Sequence, residues 1–286
     1  MKIAYSHLIN FFKEKPSIED ISEKLFQLGH ENEIIDDILD IEFTPNRGDC
    51  LSLLGLARDL SVFFALDTLP VYYTERLEAL NLNFQNHATD DCPAISFLSI
   101  DIDEIPSKYE DYLESYFTTF QINKNNFFTD ISNYLAYEMG QPTHCYDINK
   151  LNGNIEFISN DFNENFETVL EKKITLSGTN CVFKSNNEVI NLAGVMGGKS
   201  TACTRSTKKV LIECAYFNPE SIIGKALKYN LHSDASYKFE RGVDPSLQEQ
   251  TLRRFIKIVS DHTNIKSNKY FSFVSKELPV KTLKFD

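Results

Sequence analysis

The sequence predicts an α+β fold, with a small N-terminal α+β domain followed by a larger mixed-sheet α/β module. Three observations support this prediction. The chain has 286 residues and is 42% hydrophobic, which is enough for two units with their own cores. Short apolar runs typical of strands alternate irregularly with amphipathic helix patterns. We found no internal repeat or low-complexity tract, so a repeat architecture is excluded.

The N-terminal domain is predicted to span residues 1–76 and to contain a well-marked first helix. Ser17 is a good N-cap, and Asp20 follows three residues later as in a capping box. Gly29 follows the last apolar position and is expected to end the helix. The apolar residues at helical spacing are Ile18, Ile21, Leu25 and Leu28.

The rest of this domain is predicted from turn signals and apolar spacing. Residues 38–43 favour a strand, and the Pro and Gly of 44–49 favour a turn. A second amphipathic helix is predicted over about 52–64. Residues 77–91 are polar and rich in asparagine, which is typical of a linker.

The larger module is predicted to span residues 92–275, and residues 276–286 to open a further domain. Asn218-Pro219-Glu220 is a helix start, with a cap, Pro at the first position and an acidic residue, and Asp244-Pro245 repeats the pattern. Helices are expected over about 109–120, from about 130, and up to about 260. Strands are expected over 94–101, 155–159, 169–176, 181–184, 189–192 and 209–217.

Composition and cysteine spacing exclude several classes of protein. With 29 basic and 41 acidic residues the formal net charge is −12, which disfavours strong unaided nucleic-acid binding. The six cysteines are widely spaced without a C-x-x-C pair, so no metal site is predicted. No signal peptide or stretch of ~20 apolar residues is found, and we expect a cytoplasmic protein without a membrane span.

Glu213 is the most informative single residue, because it interrupts the apolar run 210–217. Burying an ionised carboxylate is costly unless it is paired or faces a polar cavity. One interpretation is that Glu213 pairs with a structural Lys or Arg, or faces solvent on an edge strand. The other is that it lines a pocket and accepts a hydrogen bond from a ligand.

Other motifs carry less information. The glycine run 194–198 lacks the spacing of a phosphate-binding P-loop and is compatible with a tight turn. His144 lies in a predicted turn over 140–144 without the partners of a metal site. His232, Ser233 and Asp234 are adjacent, which is weak evidence for a hydrolase triad because triads depend on spatial geometry. An Arg-Gly-Asp tripeptide at 47–49 carries little weight in a cytoplasmic chain.

Five stretches together resemble the β subunit of bacterial-type phenylalanyl-tRNA synthetase, and they occur in that family's order. They are FTPNRGDCLS at 43–52, GQPTHCYD at 140–147, NLAGVMGG at 191–198, LIECA at 211–215 and HSDASYKFERGVDP at 232–245. The resemblance implies that residues 92–275 are the family's editing module, which hydrolyses Tyr-tRNA(Phe).

The resemblance also implies roles for individual residues. Glu213 and His144 would line the editing pocket, with Glu213 receiving the tyrosine hydroxyl. Gly194 and Gly197 would form a wall that must stay small. The site would be completed by Ser132, Asn133, Ser233 and Ala235. No nucleophile is assigned, and a positioned water is the favoured attacking group.

The implied partners are tRNA(Phe), mischarged Tyr-tRNA(Phe) and the catalytic α subunit of the synthetase. No cofactor is expected in this portion, since ATP and Mg would bind on the α subunit. Two alternatives stay open. One is a non-catalytic structural or tRNA-docking module that has lost editing, and the other is a free-standing trans-editing paralogue.

The chain also departs from the family. Residues 31–37 replace the usual inserted oligonucleotide-binding domain. Ser132 and Ser233 stand where Thr is commoner and keep the hydroxyl. The usual Met, Ala and Phe are replaced by Thr143, Cys145 and Tyr146. The chain stops inside a predicted strand, which favours a fragment of a longer subunit.

Overall fold

The computed structural model describes residues 1–275, Thr282 and Lys284, so the further domain predicted at 276–286 lies outside the described residues. The helices are α1 Tyr5–Leu8, α2 Ile18–Gln27, α3 Leu53–Leu60, α4 Asp111–Thr119, α5 Phe127–Met139, α6 Pro219–Ile222, α7 Lys225–Tyr229, α8 Asp234–Arg241 and α9 Gln248–His262. The strands are β1 Lys2–Ala4, β2 Glu31–Ile35, β3 Ile38–Glu42, β4 Glu78–Ala79, β5 Phe84–Asn86, β6 Ala94–Ile102, β7 His144–Asp147, β8 Ile155–Glu167, β9 Lys173–Ser185, β10 Glu188–Leu192, β11 Met196–Gly197, β12 Lys209–Tyr216 and β13 Ile265–Val274. This mixture of helices and sheets confirms the predicted α+β class.

The N-terminal part contains an antiparallel sheet in the order β1-β3-β2. The capping box of α2 is formed as predicted: the Ser17 side chain accepts from the Asp20 amide, and the Asp20 carboxylate accepts from the Ser17 amide. Strand β2 was not predicted, and it lies within the short stretch 31–37. Only Asn32 is buried in it, so the sequence shows no apolar alternation there.

The second predicted helix is shorter than expected. Helix α3 begins after the Ser52 cap and ends at Leu60, four residues before the predicted end at Phe64. Phe63 is largely exposed, whereas Leu56 and Leu60 are buried. The apolar residues at helical spacing continue beyond the end of α3, which is why the predicted helix was too long.

Two five-stranded sheets form the larger part, in the orders β11-β10-β9-β8-β5 and β4-β13-β6-β12-β7. The hairpin of β8 and β9 pairs thirteen residues on each side, from Ile155↔Ser185 to Glu167↔Lys173. The separate strands predicted over 169–176 and 181–184 are thus one strand. Its middle residues are polar and exposed, so periodicity does not reveal it.

The segment predicted as a linker contributes to both of these sheets. Strand β4 pairs in parallel with β13, and β5 pairs in parallel with β8. Backbone pairing does not require apolar side chains, which explains why the asparagine-rich composition of 77–91 concealed these strands.

Two helix boundaries also differ from prediction. Helix α9 begins at Gln248, because the Asp244 side chain accepts from the amide and hydroxyl of Ser246 and so caps a turn before the helix. Helix α5 begins at Phe127, earlier than the predicted start near 130, and ends at Met139, followed by Gly140 in the left-handed conformation (φ 74°). Among the described residues, no helix is long and apolar enough to cross a membrane.

Strand β12 separates two apolar clusters and so positions the site. Val210, Ile212 and Cys214 belong to the cluster shared with the N-terminal part and with α5 and α9. Leu211 and Ala215 belong to the cluster formed with β8, β9 and β10. Successive strand residues point to opposite faces, so Glu213 lies on the second face.

Candidate functional site at the buried carboxylate of strand β12

All eight residues predicted for the site line one cavity of about 650 Å³. It is lined by residues of α5, β7, β10, β12 and α8 and by the glycine run 194–198. The predicted residues lining it are Ser132, Asn133, His144, Gly194, Gly197, Glu213, Ser233 and Ala235. Residues separated by up to 103 positions in sequence therefore meet at a single opening.

Glu213 is on a central strand and is 4% exposed. Strand β12 pairs with β6 on one side and β7 on the other, so the edge-strand interpretation is wrong. No Lys or Arg among the described residues forms an ion pair with Glu213. The carboxylate therefore faces the cavity without a cationic partner, as the pocket interpretation requires.

Two neutral groups donate hydrogen bonds to the same oxygen of Glu213. The Tyr146 hydroxyl donates to Oε2 at 2.7 Å, and Nδ2 of Asn191 lies 3.2 Å from it. No hydrogen bond from the side chains of the described residues reaches Oε1. Burial raises the pKa of Glu213 to about 7, while the Tyr146 and Asn191 hydrogen bonds act in the opposite direction.

His144 lies directly opposite Glu213 in the pairing of β7 with β12. It was predicted in a turn but begins strand β7, because the turn is complete by Thr143. Nε2 of His144 is buried and has no hydrogen-bond partner among the described residues. Burial lowers the pKa of His144 to about 4, so the imidazole is neutral at pH 7 and holds an unused polar atom beside Gly197.

Both wall glycines occupy positions where a side chain does not fit. A Cβ on Gly197 would overlap Cε1 of His144 and would lie only 2.7 Å from its Nε2. Gly194 has φ of +69°, and a Cβ there would be 2.9 Å from Cδ1 of Ile222. The narrow wall thus depends on glycine for two different reasons, contact at 197 and backbone conformation at 194.

The two serines of the site are engaged with backbone groups. Ser132 Oγ donates to the Thr143 carbonyl at 2.6 Å and shares a 2.7 Å hydrogen bond with the Thr143 hydroxyl. Ser233 Oγ donates to the Val195 carbonyl at 2.8 Å and accepts from the Ser236 amide. These bonds hold the cavity walls, and among the described residues neither serine side chain forms a hydrogen bond with a histidine side chain.

The adjacent His232, Ser233 and Asp234 do not form a triad. Asp234 is paired with Lys238 at 3.6 Å, on the next turn of α8. Ser233 serves as the N-cap of that helix. The interpretation of this motif as a hydrolase triad is therefore wrong. Asn133 and Ala235 contribute only to the lining of the cavity.

Sequence reasoning missed Asn191 as a site residue and Tyr146 as the partner of Glu213. Asn191 is a buried polar residue within the apolar strand β10, which is the same signal that identified Glu213. Tyr146 was noted only as a departure from the family's Phe. The contact between Asn191 and Tyr146 depends on the packing of two sheets, which the spacing of apolar residues in the sequence does not predict.

A cluster of potential metal ligands elsewhere in the structure is already bound by the side chain of Arg47. His30, Cys50 and Asp59 each offer a ligand atom, all within 4.8 Å of one another. Arg47 donates from Nη2 to Cys50 Sγ at 2.7 Å and also to the Asp59 carboxylate. The guanidinium supplies the positive charge at this point, and the arginine of the Arg-Gly-Asp tripeptide is structural.

Residues 105–264 match the family model of the B3/4 domain, which is more than half of the chain. The chain belongs to the B3/4 domain family. All eight predicted residues lie inside the matched range, as do Tyr146 and Asn191. The cavity is therefore a feature of the B3/4 domain and not of the N-terminal part.

Curated relatives give a longer match. The chain is 32% identical over 281 residues to the phenylalanine--tRNA ligase beta subunit of Dickeya dadantii (strain 3937), covering 97% of this chain and 34% of the relative. It is also 32% identical over 264 residues to that of Psychrobacter arcticus (strain DSM 17307 / VKM B-2377 / 273-4), covering 90% and 32%. The chain spans about a third of the length of these relatives.

A solved structure also aligns with the chain. It is an N-terminal fragment of the phenylalanyl-tRNA synthetase beta-subunit from Pyrococcus horikoshii. The sequences are 14% identical, the alignment covers 98% of this chain and 80% of that one, and the TM-score is 0.43.

Proposed function

We propose that this chain is the part of a phenylalanyl-tRNA synthetase β subunit that hydrolyses tyrosine mischarged onto tRNA(Phe). The observation that carries the proposal is the buried Glu213 carboxylate, which has one oxygen without a hydrogen-bond donor among the described residues and faces a cavity with glycine walls. The B3/4 family membership and the similarity to ligase beta subunits support it. Participation in phenylalanyl-tRNA aminoacylation, with a catalytic α subunit as partner, is part of the same proposal.

The chemistry of the two amino acids explains why such a site is useful. Tyrosine and phenylalanine differ by one hydroxyl, which an apolar synthetic pocket rejects by only about a hundredfold. In this cavity the tyrosine hydroxyl would donate to Oε1 of Glu213. Phenylalanine would leave that oxygen buried without a partner, at a cost of about 1–3 kcal/mol.

His144 would complete the recognition of the hydroxyl. Its Nε2 has no partner in the part of the chain that the structure describes, and the side chain stands across from Glu213 on the neighbouring strand. In the tautomer that carries the proton on Nε2, the imidazole would donate to the tyrosine oxygen while that hydroxyl donates to Glu213. A phenol satisfies both groups, and a benzene ring satisfies neither.

Hydrolysis requires water to attack the ester carbonyl carbon, after which the bond to the ribose oxygen breaks and tyrosine leaves. Ser132 and Ser233 are committed to backbone hydrogen bonds, so we favour a positioned water over a serine nucleophile. Lys124 and Arg205 are exposed residues that line the cavity. Arg205 would offer local positive charge to the tRNA 3′ end despite the net acidic chain, whereas Lys124 is paired with Glu114.

One observation favours a second function, a tRNA-docking module without editing. Oε2 of Glu213 is already hydrogen-bonded by the phenol of Tyr146. If that internal phenol takes the place of the substrate, the cavity would bind the tRNA end without reading the amino acid.

Deacylation by the full chain separates the two functions. We expect Tyr-tRNA(Phe) to be hydrolysed at least about tenfold faster than Phe-tRNA(Phe), the discrimination that one buried hydrogen bond supports. Release of labelled amino acid from each tRNA is the measurement, with each tRNA alone as control. Binding of both tRNAs without release would favour the docking function. Activity in the absence of an α subunit would also fit a free-standing trans-editing protein.

The preference for tyrosine is expected to fall as the pH is lowered. The ionised carboxylate is the stronger acceptor, and the pKa of Glu213 is about 7. Between about pH 8 and about pH 6 the ionised fraction drops roughly tenfold, and the preference should follow it. Deacylation of both tRNAs across this range is the measurement, and a preference independent of pH would contradict the role of Glu213.

A further inference from the structure

We propose that Tyr146 and Asn191 are positioning residues, which bind one oxygen of Glu213 from two different sheets and so present its other oxygen to the tyrosine hydroxyl. This inference rests on the proposed function and extends it. It assigns the specificity of the site to a three-residue group and not to Glu213 alone.

The geometry of the group is that of a fixed carboxylate. Tyr146 is fully buried on β7, and its hydroxyl donates to Oε2 of Glu213 at 2.7 Å. Asn191 reaches the same atom from β10, which belongs to the other five-stranded sheet. Nδ2 of Asn191 also lies 2.9 Å from the Tyr146 oxygen, so the three side chains hydrogen-bond to one another.

Two donors on one oxygen restrict how the carboxylate can turn. Rotation about the terminal bond of Glu213 would break both the 2.7 Å and the 3.2 Å hydrogen bonds together. The ring of Tyr146 is held in turn by the edge of His144, with ring centroids 4.5 Å apart. Oε1 is therefore kept toward the cavity before any ligand arrives, which is what preorganised recognition requires.

The arrangement also indicates that Tyr146 positions the Glu213 carboxylate and does not block it. A carboxylate offers about four acceptor sites on its two oxygens. Tyr146 and Asn191 use only Oε2, and no described side chain donates to Oε1. The internal phenol thus leaves the second oxygen to the substrate.

Other titratable groups around Glu213 keep one charge state near neutral pH. Burial lowers the pKa of His144 to about 4 and raises that of the Tyr146 phenol above its usual range. Burial likewise raises the pKa values of the surrounding thiols, which are Cys92, Cys145 and Cys214. A titration near pH 7 at this site therefore reports on Glu213.

Tyr146→Phe is the direct test, because it removes the hydroxyl and keeps the ring. The charged carboxylate loses a donor, so the pKa of Glu213 should rise by roughly one unit. We expect the acid limb of Tyr-tRNA(Phe) deacylation to move up by about one pH unit and the tyrosine preference near pH 7 to fall about fivefold. The Glu213 carboxyl carbon, followed by isotope-edited NMR in the ligand-free chain, gives the pKa independently of activity.

Tyr134→Phe is the matched control, since its phenol also donates to a buried carboxylate, Glu138 at 2.9 Å, outside the cavity. It should leave both the titration and the tyrosine preference unchanged. Asn191→Ala supplies a second test if Tyr146→Phe does not fold, with a shift in the same direction.

The outcomes separate this inference from the proposed function. An unshifted Glu213 titration in Tyr146→Phe would overturn the positioning role, whatever the activity of the chain. A tyrosine deacylation rate that rises in Tyr146→Phe would identify the phenol as a block and also overturn it. A shifted titration in a chain that never deacylates Tyr-tRNA(Phe) would support the positioning geometry and overturn the editing proposal.

Discussion

Glu213→Ala is expected to lower the deacylation of Tyr-tRNA(Phe) by about a hundredfold and to remove the preference for tyrosine. A hydrogen bond to a charged group contributes about 1.5–3 kcal/mol, and this substitution removes it together with the anchor for the Tyr146 and Asn191 donors. Initial rates of amino-acid release from Tyr-tRNA(Phe) and Phe-tRNA(Phe) measure both effects.

Two further variants test whether the effect is specific to the carboxylate of Glu213. Glu188→Ala removes an exposed carboxylate from β10, close to Asn191 in sequence, and should leave both rates unchanged. Glu213→Gln keeps the shape but replaces one acceptor with a donor, so the rate on Tyr-tRNA(Phe) should fall while the fold is retained. A Glu213→Ala chain that still prefers tyrosine at the parental rate would exclude the assigned role.

Local signals in the sequence were sufficient to predict several helices and strands. Helix α2 was predicted from Ser17 and Asp20 because a capping box depends on residues three positions apart. Strand β12 was predicted because its buried run is continuous, and the Asn218 cap because Pro219 follows it. In each case the determining contacts lie within a few residues of one another.

Elements that depend on distant partners were missed or misplaced. Strand β13 pairs with β6 over almost its whole length, yet its own residues are mostly polar or half-exposed. Strands β4 and β5 are held by parallel pairing to segments far along the chain. Such strands are stabilised by backbone hydrogen bonds whose partners a periodicity pattern cannot identify.

The candidate site was likewise predictable only in part. An isolated carboxylate in an apolar run predicts that Glu213 is special, and the family resemblance names seven further residues that the structure places around one cavity. The role of Tyr146 was not predictable, because its partner Asn191 comes from a different sheet. The residue that replaces the family's usual Phe proves to contact the central carboxylate.

Gly197→Ala is expected to abolish detectable Tyr-tRNA(Phe) deacylation and to lower the free energy of unfolding by about 1–3 kcal/mol, the usual cost of overpacking. The added methyl would overlap the ring of His144, which cannot withdraw easily because it packs against the ring of Tyr146. The ring would be pushed into the space meant for the substrate. Chemical denaturation and the release assay measure the two effects.

A double-mutant cycle with His144→Ala tests this explanation. Once the ring is absent, the methyl at 197 has no collision, so the double variant should be more stable than the sum of the two single effects predicts. Tyrosine preference should not return, since the imidazole that would donate to the hydroxyl is gone. Strict additivity of the stability changes would show that Gly197 is not limited by His144. It would also undermine the idea that a narrow glycine wall shapes this pocket for a single aromatic ring.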